Sequence, residues 1–302
     1  MPDADVAISA IVCTRNRGAT ITATVRGILA NDYGGFELVV IDQSSDDTSR
    51  DSIAEFLADP RVHYLRSGTK GLARARNIGI STARAEFIAM TDDDCEVPLD
   101  WLERMTEALT SDRNIGVVFG NVVTGPHDTA AGFISAYERK SAFVATSMRD
   151  KPKVEGIGAC MGIRKSVWQA LGGFDEMLGA GSRFESADDT DFAIRALMAG
   201  YRICETPKVS VVHHGFRTWK EGRRLISGYL FGIGATIGKH VRCGNWSIFH
   251  VVRALALRWA FGGPVVNFGF TPSRFVRLSG FARGFGHGFV TPVDRASAHF
   301  SR

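Results

Sequence analysis

Cysteine is scarce and scattered. The five residues stand at positions 13, 95, 160, 204 and 243 of a 302-residue chain, odd in number and too far apart for a zinc site. That pattern excludes a disulfide framework, fits a reducing cytoplasm, and leaves the thiols as packing residues. Long apolar runs are also missing. The longest uncharged stretch, 259–273, is broken by Gly262-Gly263-Pro264, and it is shorter than the roughly 18 to 20 residues that span a bilayer. No spanning segment is expected. The start, Met1-Pro2-Asp3-Ala4-Asp5, has neither the basic nor the apolar region of a secretory signal. Acids, finally, are almost absent from one end: residues 217–302 carry 13 Lys and Arg against 2 Asp and Glu. The modest net charge of +4 therefore hides 23 basic against 30 acidic residues in 1–216. Two regions with different surroundings are implied, a domain over 1–216 and a basic helical region over 217–302.

Within the first region, short β-branched runs alternate with helical patterns. Strands are expected at 6–14, 36–41, 62–65, 86–91 and 116–123, and helices at 19–31, through 57, at 72–81 and at 100–109. Strands that alternate with helices and are apolar on both faces predict an α/β fold with a mostly parallel central sheet flanked by helices. Ligands of such sheets bind beyond the carboxyl ends of the strands. Three polar clusters fall there: Thr14-Arg15-Asn16-Arg17, Asp42 to Thr48, and Asp92-Asp93-Asp94.

The triple aspartate is the strongest of the three. Three like charges at the end of a buried strand need a positive counterweight, and a divalent cation is the economical one. In an extended chain Asp92 and Asp94 share a face while Asp93 points away. Carboxylates are the ligands that hard cations such as Mg2+ and Mn2+ prefer, so a metal-bridged diphosphate site is the first hypothesis. Helix capping and simple solvation are the competing readings for an isolated acidic run.

From 153 onward the pattern changes. A small, apolar stretch at 156–162 precedes a short helix at 164–171, the turn Gly172-Gly173-Phe174-Asp175-Glu176, and a glycine-rich loop at 178–182. Glu185, Asp188, Asp189 and Asp191 then open a helix through 199. Carboxylates suit a helix N-terminus, but four acids in seven residues exceed what capping requires, which leaves one for proton transfer.

Six segments in order resemble the family 2 glycosyltransferases of GT-A fold: 8–17 (ISAIVCTRNR), 37–48 (ELVVIDQSSDDT), 71–79 (GLARARNIG), the triple aspartate, 172–176 (GGFDE) and 188–192 (DDTDF). The resemblance covers roughly 6–217 and implies a Rossmann-like sheet that binds a nucleotide-sugar. It places Thr14 and Arg15 against the nucleotide, Asp42 against the base, and Arg74 and Arg76 along the nucleotide pocket. Asp92 and Asp94 match the metal-binding Asp-x-Asp, with Asp93 reaching the donor sugar and His213, of the His213-His214 pair, near the metal. Asp188-Asp189 stands where the family has Glu-Asp, which makes Asp189 the expected general base and Asp188 its neighbour, one methylene shorter than usual. The implied reaction is a metal-dependent (Mn2+ or Mg2+) transfer with inversion, from a nucleoside-diphosphate sugar of uridine by family habit, to a glycan or lipid-linked acceptor. The glycine-rich loop is expected to close over that acceptor.

Two other classes share part of this pattern. A nucleotidyltransferase needs a basic glycine-rich loop after the first strand, and residues 14–18 make a poor one. A silent nucleotide-binding module has no use for metal acids and a base together. In the basic region, helical patterns at 219–237, 246–261 and 274–283 interleave aromatic and basic residues. These fit peripheral contact with an anionic membrane surface on its inner face; the competing reading packs them on the catalytic domain. No nucleic-acid motif accompanies the charge.

Overall fold

A computed structural model of the chain describes residues 6–260 and 273–301. The first half runs β1 (Ile8–Thr14), α1 (Gly18–Leu29), β2 (Phe36–Asp42), α2 (Thr48–Ser52), β3 (Val62–Arg66), α3 (Leu72–Thr82), β4 (Phe87–Asp92), β5 (Cys95–Glu96), α4 (Trp101–Thr110) and β6 (Ile115–Thr124). Then follow β7 (Gly132–Ile134), β8 (Phe143–Ala145), β9 (Cys160–Arg164), α5 (Lys165–Ala170), α6 (Asp188–Met198), β10 (Arg202–His213) and β11 (Phe216–Thr218). The chain ends in α7 (Trp219–Arg242), α8 (Phe249–Ala260), α9 (Arg274–Val290) and the hairpin β12 (Val293–Asp294) and β13 (His299–Phe300).

The main sheet has the order β3-β2-β1-β4-β9-β6-β10-β5, with β8 also on β10. β3, β2, β1, β4, β6 and β10 run in one direction; β9, β5 and β8 run against them. The mostly parallel sheet expected from the alternating pattern is therefore present. Side chains alternate across it as a pleat requires: Ile11, Val39 and Ile41 join the core under one face, and Ala10, Val12, Leu38 and Val40 the core under the other.

The strand that the sequence does not announce is β9, within the small, apolar stretch. Its five residues wedge antiparallel between β4 and β6. Small size is what admits it: a Cβ on Gly162 would run into Met105 Sδ of α4.

The basic region does not stand apart. β11 pairs with β7 across the boundary at 216/217, and Thr218 opens α7 with a reciprocal capping box to Glu221. α7 then crosses α9 at glycines. A Cβ on Gly234 would run into Phe281 O, and one on Gly288 into Ala235 O, so the two backbones touch. Lys239, fully buried, reaches Asp175 and Asp191 at 2.7 Å each. Asp191 also accepts from Arg195 and lies 3.1 Å from His240 Nε2. Two acids of the GGFDE and DDTDF segments thus tie α7 to the sheet domain. The helix expected at 246–261 begins one turn later as α8, and the expected uncharged run at 259–273 lies largely outside the described residues.

Candidate active site

Parallel register brings the three polar clusters to one edge. Thr14 pairs with Asp42, and Cys13 with Asp92, so β1, β2 and β4 end side by side. Beyond Asp92 the chain does not stay extended. It turns at Asp93 and Asp94 into β5, so the two-residue alternation that aligns Asp92 with Asp94 stops there, and tertiary contacts aim each acid instead.

Asp93 accepts from Thr14 Oγ1 at 2.6 Å and from Arg17 Nη1 at 2.9 Å. Asp94 Oδ2 accepts from the same Arg17 nitrogen at 2.5 Å. Asp92 Oδ1 lies 3.8 Å from Arg76 Nη2. Beside any cation, two arginines supply part of the positive charge that the triple aspartate needs, and Arg17 has no signal of its own beyond sitting in the first cluster. Burial raises the Asp92 carboxyl against the pull of Arg76, and raises Asp93 against Thr14 and Arg17. Burial also pushes Asp94 up, but His213 and Arg17 outweigh it and hold this carboxyl at about 2.

His213 closes β10 with Nδ1 2.9 Å from Ser135 O and Nε2 3.2 Å from Asp94 Oδ1. With the proton on Nδ1 donated to that carbonyl, Nε2 presents a lone pair. In that tautomer Asp94 Oδ1, which is buried, accepts no hydrogen bond. Protonated, His213 pairs through Nε2 with this carboxylate, which raises the imidazole's pKa against burial; neutral, it leaves two donor atoms 3.2 Å apart, close to the ~3 Å between adjacent ligands of an octahedral ion at ~2.1 Å. Asp94, Cys95 and His213 bring their donor atoms within 4.8 Å of one another. Burial raises the Cys95 thiol well above its ordinary value, so the carboxylate and the imidazole are the donors that fit a hard divalent cation. Asp92 is not in this trio; it sits on the Arg76 side. His214 pairs instead with Glu96 on the surface.

Arg76, buried on α3, is the centre of the other half. Nη1 donates to Asp188 Oδ2 at 2.7 Å and Nη2 to Gly158 O at 3.2 Å. The N–H of the same Gly158 donates to Asp189 Oδ2 at 2.9 Å, and Thr190 N–H holds Asp189 Oδ1 at 2.6 Å. Burial raises Asp188 to about 6 against the pull of Arg76. Asp188 is thus buried and paired with a guanidinium, whereas Asp189 is half-exposed and held by backbone alone. Gly158 has no signal in the sequence beyond membership of the small, apolar stretch 156–162. A Cβ there meets Arg76 Nη2 at 2.5 Å, a constraint that only the folded chain reveals.

The remaining residues are placed as follows. Asp42 is fully buried; it accepts from Ser44 N–H and from Tyr64 OH, each at 2.7 Å. Tyr64 on β3 is the partner that sequence spacing could not supply. Arg74 pairs with Glu176 at 2.8 Å, away from Arg76 on the neighbouring helix face. Arg15 is exposed, its Nη1 3.8 Å from where a Cβ of Gly181 stands. The glycine-rich loop is anchored to the start of α3, where Leu72 N–H donates to Ala180 O. Burial drives the Cys13 and Cys160 thiols to about 12, which fits their packing role.

Residues 9–172, more than half of the chain, match the family described as Glycosyl transferase family 2. The chain belongs to glycosyl transferase family 2. Among curated relatives of this family 2 chain, the glycosyltransferase GlyG of Streptococcus pneumoniae serotype 4 is 33% identical over 116 residues, covering 38% of each chain. The UDP-Glc:alpha-D-GlcNAc-diphosphoundecaprenol beta-1,3-glucosyltransferase WfgD of Escherichia coli is 34% identical over 118 residues, 39% of this chain and 46% of the relative. The chain covers only 24%, 38% and 46% of the lengths of three such relatives. Among solved structures, the mannosyltransferase PcManGT from Pyrobaculum calidifontis, in complex with GDP-Man and Mn2+, superposes with a TM-score of 0.58 at 20% identity, over 98% of this chain and 86% of that one. S. aureus TarS 1-349 in complex with UDP gives 0.56 at 17% identity, over 76% and 65%. At these identities the likeness is one of fold, and the fold is that of the GT-A enzymes.

Proposed function

We propose that the chain is an inverting, metal-dependent glycosyltransferase that moves a sugar from a nucleoside-diphosphate sugar to an acceptor hydroxyl. One observation carries the reading. Arg76 and Gly158 join Asp92, beside the Asp94–His213 pair, to Asp188 and Asp189 in a single network. A donor diphosphate at the strand ends and a base facing the acceptor need that juxtaposition.

Asp94 and His213 are the residues to hold Mn2+ or Mg2+, with Asp92 alongside. When bound, such an ion offsets the charge that develops on the departing diphosphate. Thr14 and Arg17 orient Asp93, which reaches the donor sugar. Arg15, exposed beside the glycine-rich loop, and Arg76 offer guanidinium groups to phosphate; Arg74 lines the rim with Glu176. Asp42 takes the base edge once the Tyr64 hydroxyl turns aside. Uridine is the base favoured, in line with the UDP-Glc for which WfgD is named and the UDP held by TarS. In the transfer, the acceptor oxygen bonds to the anomeric carbon as the bond from that carbon to the diphosphate oxygen breaks. The hydroxyl proton passes to Asp189, which two backbone N–H groups hold in place. Asp188 keeps Arg76 in position and is not the base.

The acceptor is a glycan or a lipid-linked sugar, and the C-terminal helices make peripheral contact with an anionic membrane. Phe275 and Leu278 of α9, and Trp246, Phe249 and Leu257 at α8, are exposed among arginines. No helix among the described residues is long and apolar enough to cross a bilayer.

The test is isothermal titration with UDP in Mn2+, then in EDTA, on the protein and on Asp92→Ala/Asp94→Ala. Micromolar binding that needs both metal and carboxylates supports the reading. Failure of UDP, GDP and dTDP alike defeats it in favour of a silent module.

A further inference from the structure

One cavity of the molecule is not used by the donor site. It lies between α7, α8 and the segment 151–156, holds about 120 Å³, and so has room for about four water-sized groups. α8 turns Val251, Ala254, Leu255 and Arg258 toward it, the spacing of one helical stripe. Leu230 and Ile233 of α7 face them.

Two things tie this cavity to the reacting end of the site. Thr190, the residue after Asp189, is part of its wall. The charge of Asp189 is also felt by two other wall residues: burial lowers the Lys151 ammonium and raises the Tyr229 phenol, and Asp189 opposes the first shift and adds to the second.

Lys151 gives the cavity its chemistry. The residue is only 7% exposed. Among the described residues the one hydrogen bond of its ammonium runs from Nζ to Val154 O at 3.2 Å. An ammonium carries three donors, so two are left for an occupant. The other wall charges are already matched, Arg258 to Glu155 at 2.6 Å. A buried ammonium with spare donors, beside an apolar wall, suits a ligand that joins a negative oxygen to a short hydrocarbon stretch.

We propose that this cavity is the seat of the acceptor's apolar, anionic portion: a phosphate joined to a hydrocarbon chain, with the phosphate on Lys151 and the first few carbons of the chain enclosed along α8. The proposal rests on Asp189 being the base for the choice of occupant, and on the cavity alone for the binding. It makes the C-terminal helices a selectivity element, since they build most of the wall.

The experiment uses the full chain and n-decyl phosphate, with decan-1-ol and inorganic phosphate as controls, followed by isothermal titration. Decyl phosphate is expected to bind, and inorganic phosphate at least tenfold more weakly. Lys151→Met is expected to weaken decyl phosphate at least tenfold and to leave decan-1-ol within twofold. Ala254→Phe, which fills the cavity, is expected to abolish both. Circular dichroism checks folding, and Val251→Phe on the same stripe replaces Ala254→Phe if that variant does not fold. Absence of decyl phosphate binding, binding equal to that of inorganic phosphate, or binding unmoved by Lys151→Met and by the filling variant overturns the proposal. A parallel UDP titration separates the two ideas. UDP binding without decyl phosphate binding sinks the cavity alone; the reverse sinks the nucleotide reading and leaves the cavity standing.

Discussion

Asp188 and Asp189 are adjacent carboxylates with opposite surroundings, and that difference underlies the roles proposed for them. Arg76 claims Asp188 at 2.7 Å in a buried pair, while backbone N–H groups merely aim Asp189. Asp189→Asn is expected to lower kcat by about 10²- to 10⁴-fold, the usual worth of a general base, with UDP affinity unchanged; steady-state kinetics beside titration checks both. Gly158→Ala forces a methyl to within 2.5 Å of Arg76 Nη2. It is expected to cost at least tenfold in turnover while folding is retained, read by kinetics and thermal unfolding; an unchanged rate refutes the bridging role. At this scale the sequence shows which acids to watch, because runs such as Asp92-Asp93-Asp94 have no folding rationale. It does not show Arg17, Tyr64 or Gly158. Each acts through a residue far away along the chain, and no local pattern encodes that.

Among elements, the strands of the parallel half are legible, since β1, β2 and β4 are apolar nearly throughout. β9 is not, because five residues with Gly162 at their centre carry neither a two-residue nor a helical period. The join between α7 and α6 is also hidden. Lys239, Asp175, Asp191, Arg195 and His240 form a buried charge cluster whose members are scattered through the second half of the chain. Lys239→Met leaves buried carboxylates short of a partner and is expected to cost about 3–5 kcal/mol, measured by urea unfolding. The cluster also sets a pH dependence. Burial alone raises Asp191, but Lys239, Arg195 and His240 outweigh it and hold the carboxyl well below its ordinary value. Its contribution is complete above the unfolded value near pH 4 and is lost as pH falls toward the folded one. Burial lowers His240 despite Asp191, so the unfolded chain protonates first below about pH 6.5 and stability falls there too. Both signs agree. Measured relative to His240→Gln, the urea midpoint is expected to drop from pH 7.5 to 5.5; the comparison cancels Asp188, whose carboxyl, raised to about 6, acts in the opposite sense. A midpoint that rises on acidification relative to that variant contradicts this account.

For the whole molecule, the charge asymmetry predicts behaviour at surfaces. Exposed Phe275, Leu278 and Trp246 among basic residues are expected to give co-sedimentation with phosphatidylglycerol vesicles, weakened by 0.5 M salt and by Phe275→Ser/Leu278→Ser, and little with neutral vesicles. Salt acts because exposed charges are screened within about 10 Å at 0.1 M. The charge split suggests the basic region as a separate surface-binding part; the structure shows the competing reading, packing on the catalytic domain, for α7. α7 and α9 pack through glycines and α7 is locked to the sheet domain, yet their outer faces keep exposed aromatic and basic residues.

The sequence by itself determined the parallel sheet, the edge on which the candidate site lies and the acids that stand there, because periodicity and strand-end chemistry are local properties. Only the tertiary structure decided the work of each charge. Asp94 is paired with a histidine from β10, Asp188 with an arginine from α3, and Asp175 and Asp191 with a lysine from α7. Which carboxylate stays available for chemistry depends on which ones burial forces into ion pairs, and that is settled by distance in space.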